Sequence, residues 1–181
     1  NPDIAVSSTT LQFGEVLIHT TKELTIALQN EGTADLKLGV IGPFAMPFSR
    51  VGGTCSDDKN LGPGESCSLT IRFGPTSVGT FHSSFLIPSN DPDENPLTIT
   101  LNGEGTAPDI CVSEIHVDFG AVLIGEISEH LISIGNEGNA GLQIDSIGPL
   151  ALPFSMASDH CSGETLAPGK SCSMTIKFSP T

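Results

Sequence analysis

The chain has 181 residues, room for one large domain or two of about a hundred each. With 38% hydrophobic and only 15% charged residues it is not a disordered segment, and its 20 glycines and 13 prolines, with no Trp or Tyr, favour short strands joined by turns. The net charge of −14, split evenly as −7 over residues 1–106 and −7 over 107–181, repels phosphate backbones and argues against a nucleic-acid partner.

Taken in chain order, the apolar residues recur with a period of two. Leu24, Ile26 and Leu28 alternate with polar or small residues, and so do Leu36, Leu38 and Val40. Cys67, Leu69, Ile71 and Phe73 follow, then Phe81, Phe85 and Ile87 with Ser83 in phase, then Leu97, Ile99 and Leu101. This pattern buries one face of each strand and wets the other, as in an antiparallel sheet. The breaks contain "NEG", "GP", "GPGES" and "SNDPDENP", all turn chemistry. No segment has a helical period, and none is long and apolar enough to insert in a membrane. No signal peptide is visible, so an exported chain would have lost it or carry it outside these residues.

The chain then repeats itself. "PDIAVSSTTLQFGEVLI" from Pro2 matches "PDICVSEIHVDFGAVLI" from Pro108, and "LQNEGTADLKLGVIGPFAMPFS" matches "IGNEGNAGLQIDSIGPLALPFS". After Cys55 and Cys161 one residue is lost, and "LGPGESCSLTIRF" matches "LAPGKSCSMTIKF". Self-similarity of this length means two copies of one unit. About seven strands per hundred residues imply an all-β fold, two tandem immunoglobulin-like β-sandwiches spanning 1–105 and 106–181. "LNGEGTAPDI" is expected to be the hinge, with Gly103 and Gly105 allowing it to bend and Pro108 limiting it. The second copy lacks counterparts of Phe81, Phe85, Ile87, Leu97, Ile99 and Leu101, so its last two strands are expected to be missing.

Phe13, Gly14, Asn30, Gly32, Cys55, Pro63, Gly64, Cys67, Phe73, Pro75, the "SNDP" of 89–92, Gly103 and Gly105 form a recognisable pattern. Phe119, Gly120, Asn136, Gly138, Cys161, Pro168, Gly169, Cys172, Phe178 and Pro180 repeat most of it. The pattern resembles the bacterial choice-of-anchor D repeats, which are related to ciliary and centrosomal ASH domains and to the major sperm protein fold. The resemblance implies an immunoglobulin-like sandwich in an exported or surface-anchored bacterial protein, and it implies no catalytic residues.

The five cysteines carry the sharpest local reading. Cys55 and Cys67 lie twelve apart, and Cys161 and Cys172 eleven apart, at equivalent places. A disulfide in each repeat is expected, which requires an oxidising compartment, periplasmic or extracellular. The rival is zinc, which needs four ligands close together, whereas each repeat offers two cysteines without CxxC spacing. Cys111 has no counterpart, since Ala5 stands there. It reads as a buried small apolar residue, with a bond to another chain as the alternative.

The remaining candidates are weaker. Asn90, Asp91, Asp93 and Glu94 group oxygen ligands that could hold calcium, but the loop lacks the calcium-loop glycine and distal glutamate and fits a plain turn. His19, His82, His116, His130 and His160 show no metal spacing. No "GxSxG" occurs, so no catalytic residue is assigned and no cofactor is expected. An unfinished second sandwich would present an assembly edge at Met174, Ile176 and Phe178. The chain would then continue, receive donated strands, or swap elements with a neighbour. The expected function is structural, as a spacer, adhesion or filament element at the cell surface with protein partners. The alternative is a binding module, docking on a larger complex or recognising carbohydrate or protein.

Overall fold

A computed structural model describes all residues, 1–181, and contains only strands, turns and loops. The chain divides into two compact units, Asn1–Thr106 and Ala107–Thr181.

The first unit holds β1 (Ile4–Val6), β2 (Thr10–Leu17), β3 (Lys22–Asn30), β4 (Leu36–Lys37), β5 (Phe48–Gly52), β6 (Asn60–Leu61), β7 (Ser66–Phe73), β8 (Gly79–Ile87) and β9 (Leu97–Thr106). One antiparallel sheet runs β1-β3-β7-β5, a second runs β2-β9-β8, and β4-β6 forms a small ribbon. The alternating residues of β3, β7, β8 and β9 fill the space between the sheets: Ile26, Leu28, Leu69, Ile71, Phe85, Ile87, Ile99 and Leu101 are all buried. This is the two-layer sandwich that the period of two predicts. The alternation fails at Val40, which is exposed because the chain has left the short strand β4.

The "FG" of the repeat has a geometric reason. The pairing of β2 with β9 is parallel, and its register slips between Gln12 and Glu15. Gly14 sits at that irregularity with φ +67°, a conformation that side chains disfavour. Phe13 can then turn inward, where it meets Phe48 and Phe73 at centroid distances of 5.6 Å each.

The expected hinge is corrected. Gly103 and Gly105 lie inside β9, which stays paired with both β8 and β2 through Gly105. Their missing side chains serve close approach instead of bending. A Cβ on Gly103 would stand 2.6 Å from the Phe73 ring, and one on Gly105 would stand 2.2 Å from the Ser77 carbonyl.

The second unit holds β10 (Ile110–Val112), β11 (Ser128–Asn136), β12 (Leu142–Gln143), β13 (Phe154–Asp159), β14 (Thr165–Leu166) and β15 (Ser171–Phe178). Its main sheet runs β10-β11-β15-β13, with a β12-β14 ribbon. It thus reproduces the first sheet and ribbon of the other copy. The loss exceeds the two strands expected. "HVDFGAVL", the counterpart of β2, forms no strand, because in the first copy β2 pairs only with β9. The entire second sheet is therefore absent. The assembly edge expected at Met174, Ile176 and Phe178 is also corrected: β15 lies between β11 and β13, with both of its edges paired. Met174 belongs to the core of this unit, and Ile176 and Phe178 are half-buried.

Candidate functional site

Three constructions stand out from the plain sandwich: a buried asparagine, a disulfide and an acidic corner. The first two occur in both units.

Asn30 ends β3 and is fully buried. Its Nδ2 donates to the Ala34 carbonyl at 2.8 Å and to the Leu61 carbonyl at 2.9 Å. Its Oδ1 accepts from the amides of Gly32 at 3.0 Å and Asp3 at 3.4 Å. One side chain thereby ties β1, the "NEG" turn and the β6 ribbon together and satisfies its full hydrogen-bonding capacity. Asn136 repeats every bond, donating to Ala140 at 2.7 Å and Leu166 at 2.9 Å, and accepting from Gly138 at 3.0 Å and Asp109 at 3.1 Å. The glycine of "NEG" follows from the same packing. A Cβ at Gly32 would stand 2.3 Å from the Asn1 carbonyl, and one at Gly138 would stand 2.4 Å from that of Ala107. Glu31 and Glu137 match between the copies, but the structure gives the work to the asparagine before them.

The sulfurs pair as Cys55–Cys67 and Cys161–Cys172. Each bond joins the loop after the outer strand, β5 or β13, to the start of the central strand, β7 or β15. Arg50 reinforces the first loop by donating to the Cys55 carbonyl and by pairing with Asp57 at 3.1 Å. Cys111 is free and half-exposed on β10, so the expected burial is not found. β10 is an edge strand, and the thiol packs against Gly135 across the pair, on the side opposite the core residues. Its partial desolvation against the sheet and the Glu137 carboxylate push its pKa up, which disfavours the reactive thiolate.

The acidic corner is formed only in the first unit. Asp91, 2% exposed, accepts from the Ile4 amide at 2.7 Å and the Asp93 amide at 3.1 Å. Asn90 faces the ribbon instead: its Oδ1 accepts from the Lys37 amide at 2.7 Å and its Nδ2 donates to the Asp35 carbonyl at 3.1 Å. The four residues expected to act as one oxygen cluster are thus divided. Asp91 and Glu94 converge with Asp3, their oxygens within 4.8 Å of one another, while Asn90 does not join them. Asp3 was invisible to sequence spacing because it lies at the other end of the repeat. "SNDP" is a clamp that fastens the β8–β9 connection to β1 and to the ribbon.

The electrostatics follow from this geometry. Burial opposes the charge on Asp91, but donation from the Ile4 amide, from Asp93 and from the Glu94 amide outweighs it and holds the carboxyl below its ordinary value. Asp93 is raised by its hydrogen bond to Asp91 and by that charge, and Glu94 by burial and the charges of Asp91, Asp93 and Asp3. The signs therefore oppose. The repulsion at Asp93 and Glu94 eases as pH falls through their raised values, which favours the folded state in mild acid. The stabilisation from Asp91 is present above the ordinary aspartate value and is lost as pH falls through its depressed one. Asp91→Asn should remove the low-pH loss that belongs to this corner. At neutral pH it should lower the stability of the first unit by about 1–3 kcal/mol, because the Ile4 amide loses its charged acceptor. Urea melts of both proteins at several pH values check this.

The histidines are occupied locally where they are bonded. His82 Nδ1 lies 2.7 Å from Asn102 Oδ1, and His130 Nε2 lies 3.0 Å from a Glu114 oxygen, with its ring edge-on to Phe119. A shallow polar groove over the outer face of β2-β9-β8 is lined by Gln12, Glu15, Thr80, His82, Asn102 and Glu104. It brings a histidine near two carboxylates but no nucleophilic hydroxyl except Thr80.

The sequence model of the HYDIN/CFA65/VesB-like Ig-like domain matches twice, over residues 2–104 and 108–181. The chain belongs to that family. Cilia- and flagella-associated protein 74 of Chlamydomonas reinhardtii is 25% identical over 193 residues, which cover 94% of this chain and 9% of that protein. The chain therefore spans a small part of that relative. Among solved structures, a Porphyromonas gingivalis W83 protein of unknown function aligns at 16% identity and TM-score 0.47, covering 97% of this chain and 83% of that one. The ASH/PapD-like domain 7 of human CEP192 aligns at 19% and 0.45, covering 56% and 84%. The Vibrio cholerae VesB protease aligns at 14% and 0.49, covering 56% and 31%.

Within this pair of Ig-like repeats, the shared residues have one property in common. Asn30 with Asn136, Gly32 with Gly138, Phe13 with Phe119 and the two disulfides all hold backbone or core in place. None of the histidines has a counterpart in the other copy, and of the three clustered acids only Asp3 does, as Asp109.

Proposed function

We propose that this chain is a non-catalytic structural segment of an exported protein, two Ig-like repeats that space or assemble protein partners outside the reducing cytosol. The observation that supports this reading is the duplication of the framework: asparagine bracket, aromatic cluster and disulfide recur, while polar surface chemistry does not. An enzyme built from tandem copies needs its reacting groups gathered in at least one of them. The disulfides support an oxidising compartment, since such bonds rarely persist where glutathione keeps thiols reduced. The kinship with choice-of-anchor D repeats, and with it a bacterial surface location, belongs to the same proposal.

Thiol titration of the protein purified without reductant tests it. One reactive thiol, Cys111, is expected in the denatured but unreduced chain, and five after reduction. Five thiols before reduction would overturn the exported reading.

A further inference from the structure

The outer face of β2-β9-β8 carries two rows of polar side chains. Gln12, Asn102 and His82 stand side by side in one, and Glu15, Glu104 and Thr80 in the next. Between the rows Phe13 turns into the core, and Gly14 and Gly103 offer only backbone, so the rows wall a groove of about 460 Å³. The register slip of β2 falls at this point and sets Gln12 farther from Glu15 than an unbroken strand would.

The charges in the groove are unmatched. Glu15 and Glu104 are register partners on adjacent strands, a placement that costs stability unless a cation joins them. None of the chain's seven Lys and Arg residues belongs to these three strands, and neither glutamate forms an ion pair. Lys22 of β3 gives its ammonium to the Phe13 carbonyl at 2.6 Å. The other sheet answers the same problem from within. There Glu23 faces Arg72 in register, and its carboxylate accepts from Nε at 2.9 Å and from Nη2 at 2.8 Å. Across the groove the first row supplies further acceptors. Asn102 Oδ1 accepts from His82 Nδ1 at 2.7 Å, which leaves Nε2 of the neutral ring as an acceptor, and Gln12 adds a carboxamide oxygen. Glu15, Glu104 and His82 are not gathered closely enough to grip one metal ion. A planar cation with several N–H donors spans such a spread of acceptors, where a point charge does not.

We infer that this groove receives an arginine side chain from a partner protein, its guanidinium between Glu15 and Glu104 and its outer N–H groups toward His82 and Gln12. That a protein supplies the arginine rests on the reading of these repeats as holding protein partners. The second copy carries Ala121 where Glu15 stands, so this glutamate lies outside the shared framework. The two repeats then share how they fold and differ in what they hold.

The test titrates the full chain, labelled for NMR, with an end-blocked Gly-Arg-Gly tripeptide. About 0.15 M salt screens the general attraction of an acidic protein for cations. The amides of Gly14 and Gly103 and the ring signals of His82 should shift along one saturating curve. The same tripeptide with citrulline, the neutral planar isostere, should leave them in place, and that with lysine should bind more weakly. Glu15→Gln and Glu104→Gln should each weaken binding by about tenfold. Neither should lower the melting midpoint of the first unit, since each relieves two opposed like charges. Unchanged binding in both variants, or equal shifts from the citrulline or lysine peptide, would overturn the inference. So would a lowered midpoint, which would give the carboxylates to the fold, or tighter binding of spermidine than of the tripeptide, which would give the groove to a small polyamine. The thiol titration is independent of all these outcomes, so the two proposals can fail separately.

Discussion

Asn30→Ala is expected to destabilise the first unit by about 3–5 kcal/mol, the largest effect of any single surface-to-core truncation that keeps the apolar core intact. The substitution removes two donors and an acceptor from a fully buried position. It leaves the Ala34 and Leu61 carbonyls and the Gly32 amide without their partners. Each buried polar group left unpaired costs about 1–3 kcal/mol, and relaxation of the turn recovers part of the sum. For a domain of this size the melting midpoint should fall by about 15–30 °C. Asn30→Asp is the informative companion. It keeps an acceptor for Gly32 but turns an oxygen toward two carbonyl oxygens, so it should be no better than alanine at neutral pH. Thermal melts followed by circular dichroism check both. A loss below about 1 kcal/mol for Asn30→Ala would show that the bracket is incidental to folding.

Removing the disulfides should separate the two units in behaviour. On the chain-entropy account, opening a loop of 11 or 12 residues costs about 3 kcal/mol in either copy. The first unit has a closed core of twenty buried apolar residues and should survive Cys55→Ala/Cys67→Ala with a lowered midpoint. The second has six, around one open sheet. For so small a core a cross-link is a large share of the total stability. Cys161→Ala/Cys172→Ala should therefore abolish its cooperative transition while leaving that of the first unit in place. Differential scanning calorimetry of the two double variants, with hydrogen exchange to assign each transition, decides the matter. Equal effects in both units would contradict the link drawn here between the missing sheet and dependence on sulfur.

The sequence made the sandwich legible for a simple reason. Alternation in β7, from Cys67 to Phe73, reports directly which side chains point inward, and the duplication shows where the unit recurs. The cysteine pairs were legible because equivalent positions carry them in both copies. Spatial order was not. An unfinished second sandwich suggests an open edge at Met174, Ile176 and Phe178, yet sheet pairing places β15 between β11 and β13. The glycines of "NGEG" read as flexibility, because a missing side chain looks the same in sequence whether it permits bending or close contact with Phe73. The acidic corner escaped in part because its member Asp3 is remote in sequence and arrives only when β1 is laid against β3. The asparagine bracket could have been found. A polar residue at the core phase of β3, repeated in β11, must satisfy its hydrogen bonds somewhere.

The parallel pairing of β2 with β9 sets an order of events during synthesis. β2 is made early, yet its partner residues, Thr10 with Thr100 for example, lie about ninety positions downstream, so the stretch must wait through most of the repeat. The sheet β1-β3-β7-β5 needs nothing beyond residue 73 and can assemble first, sulfurs included. A nascent repeat therefore passes through a half-built stage with a bare aromatic floor, the stage at which a chaperone or a neighbouring strand has its opportunity.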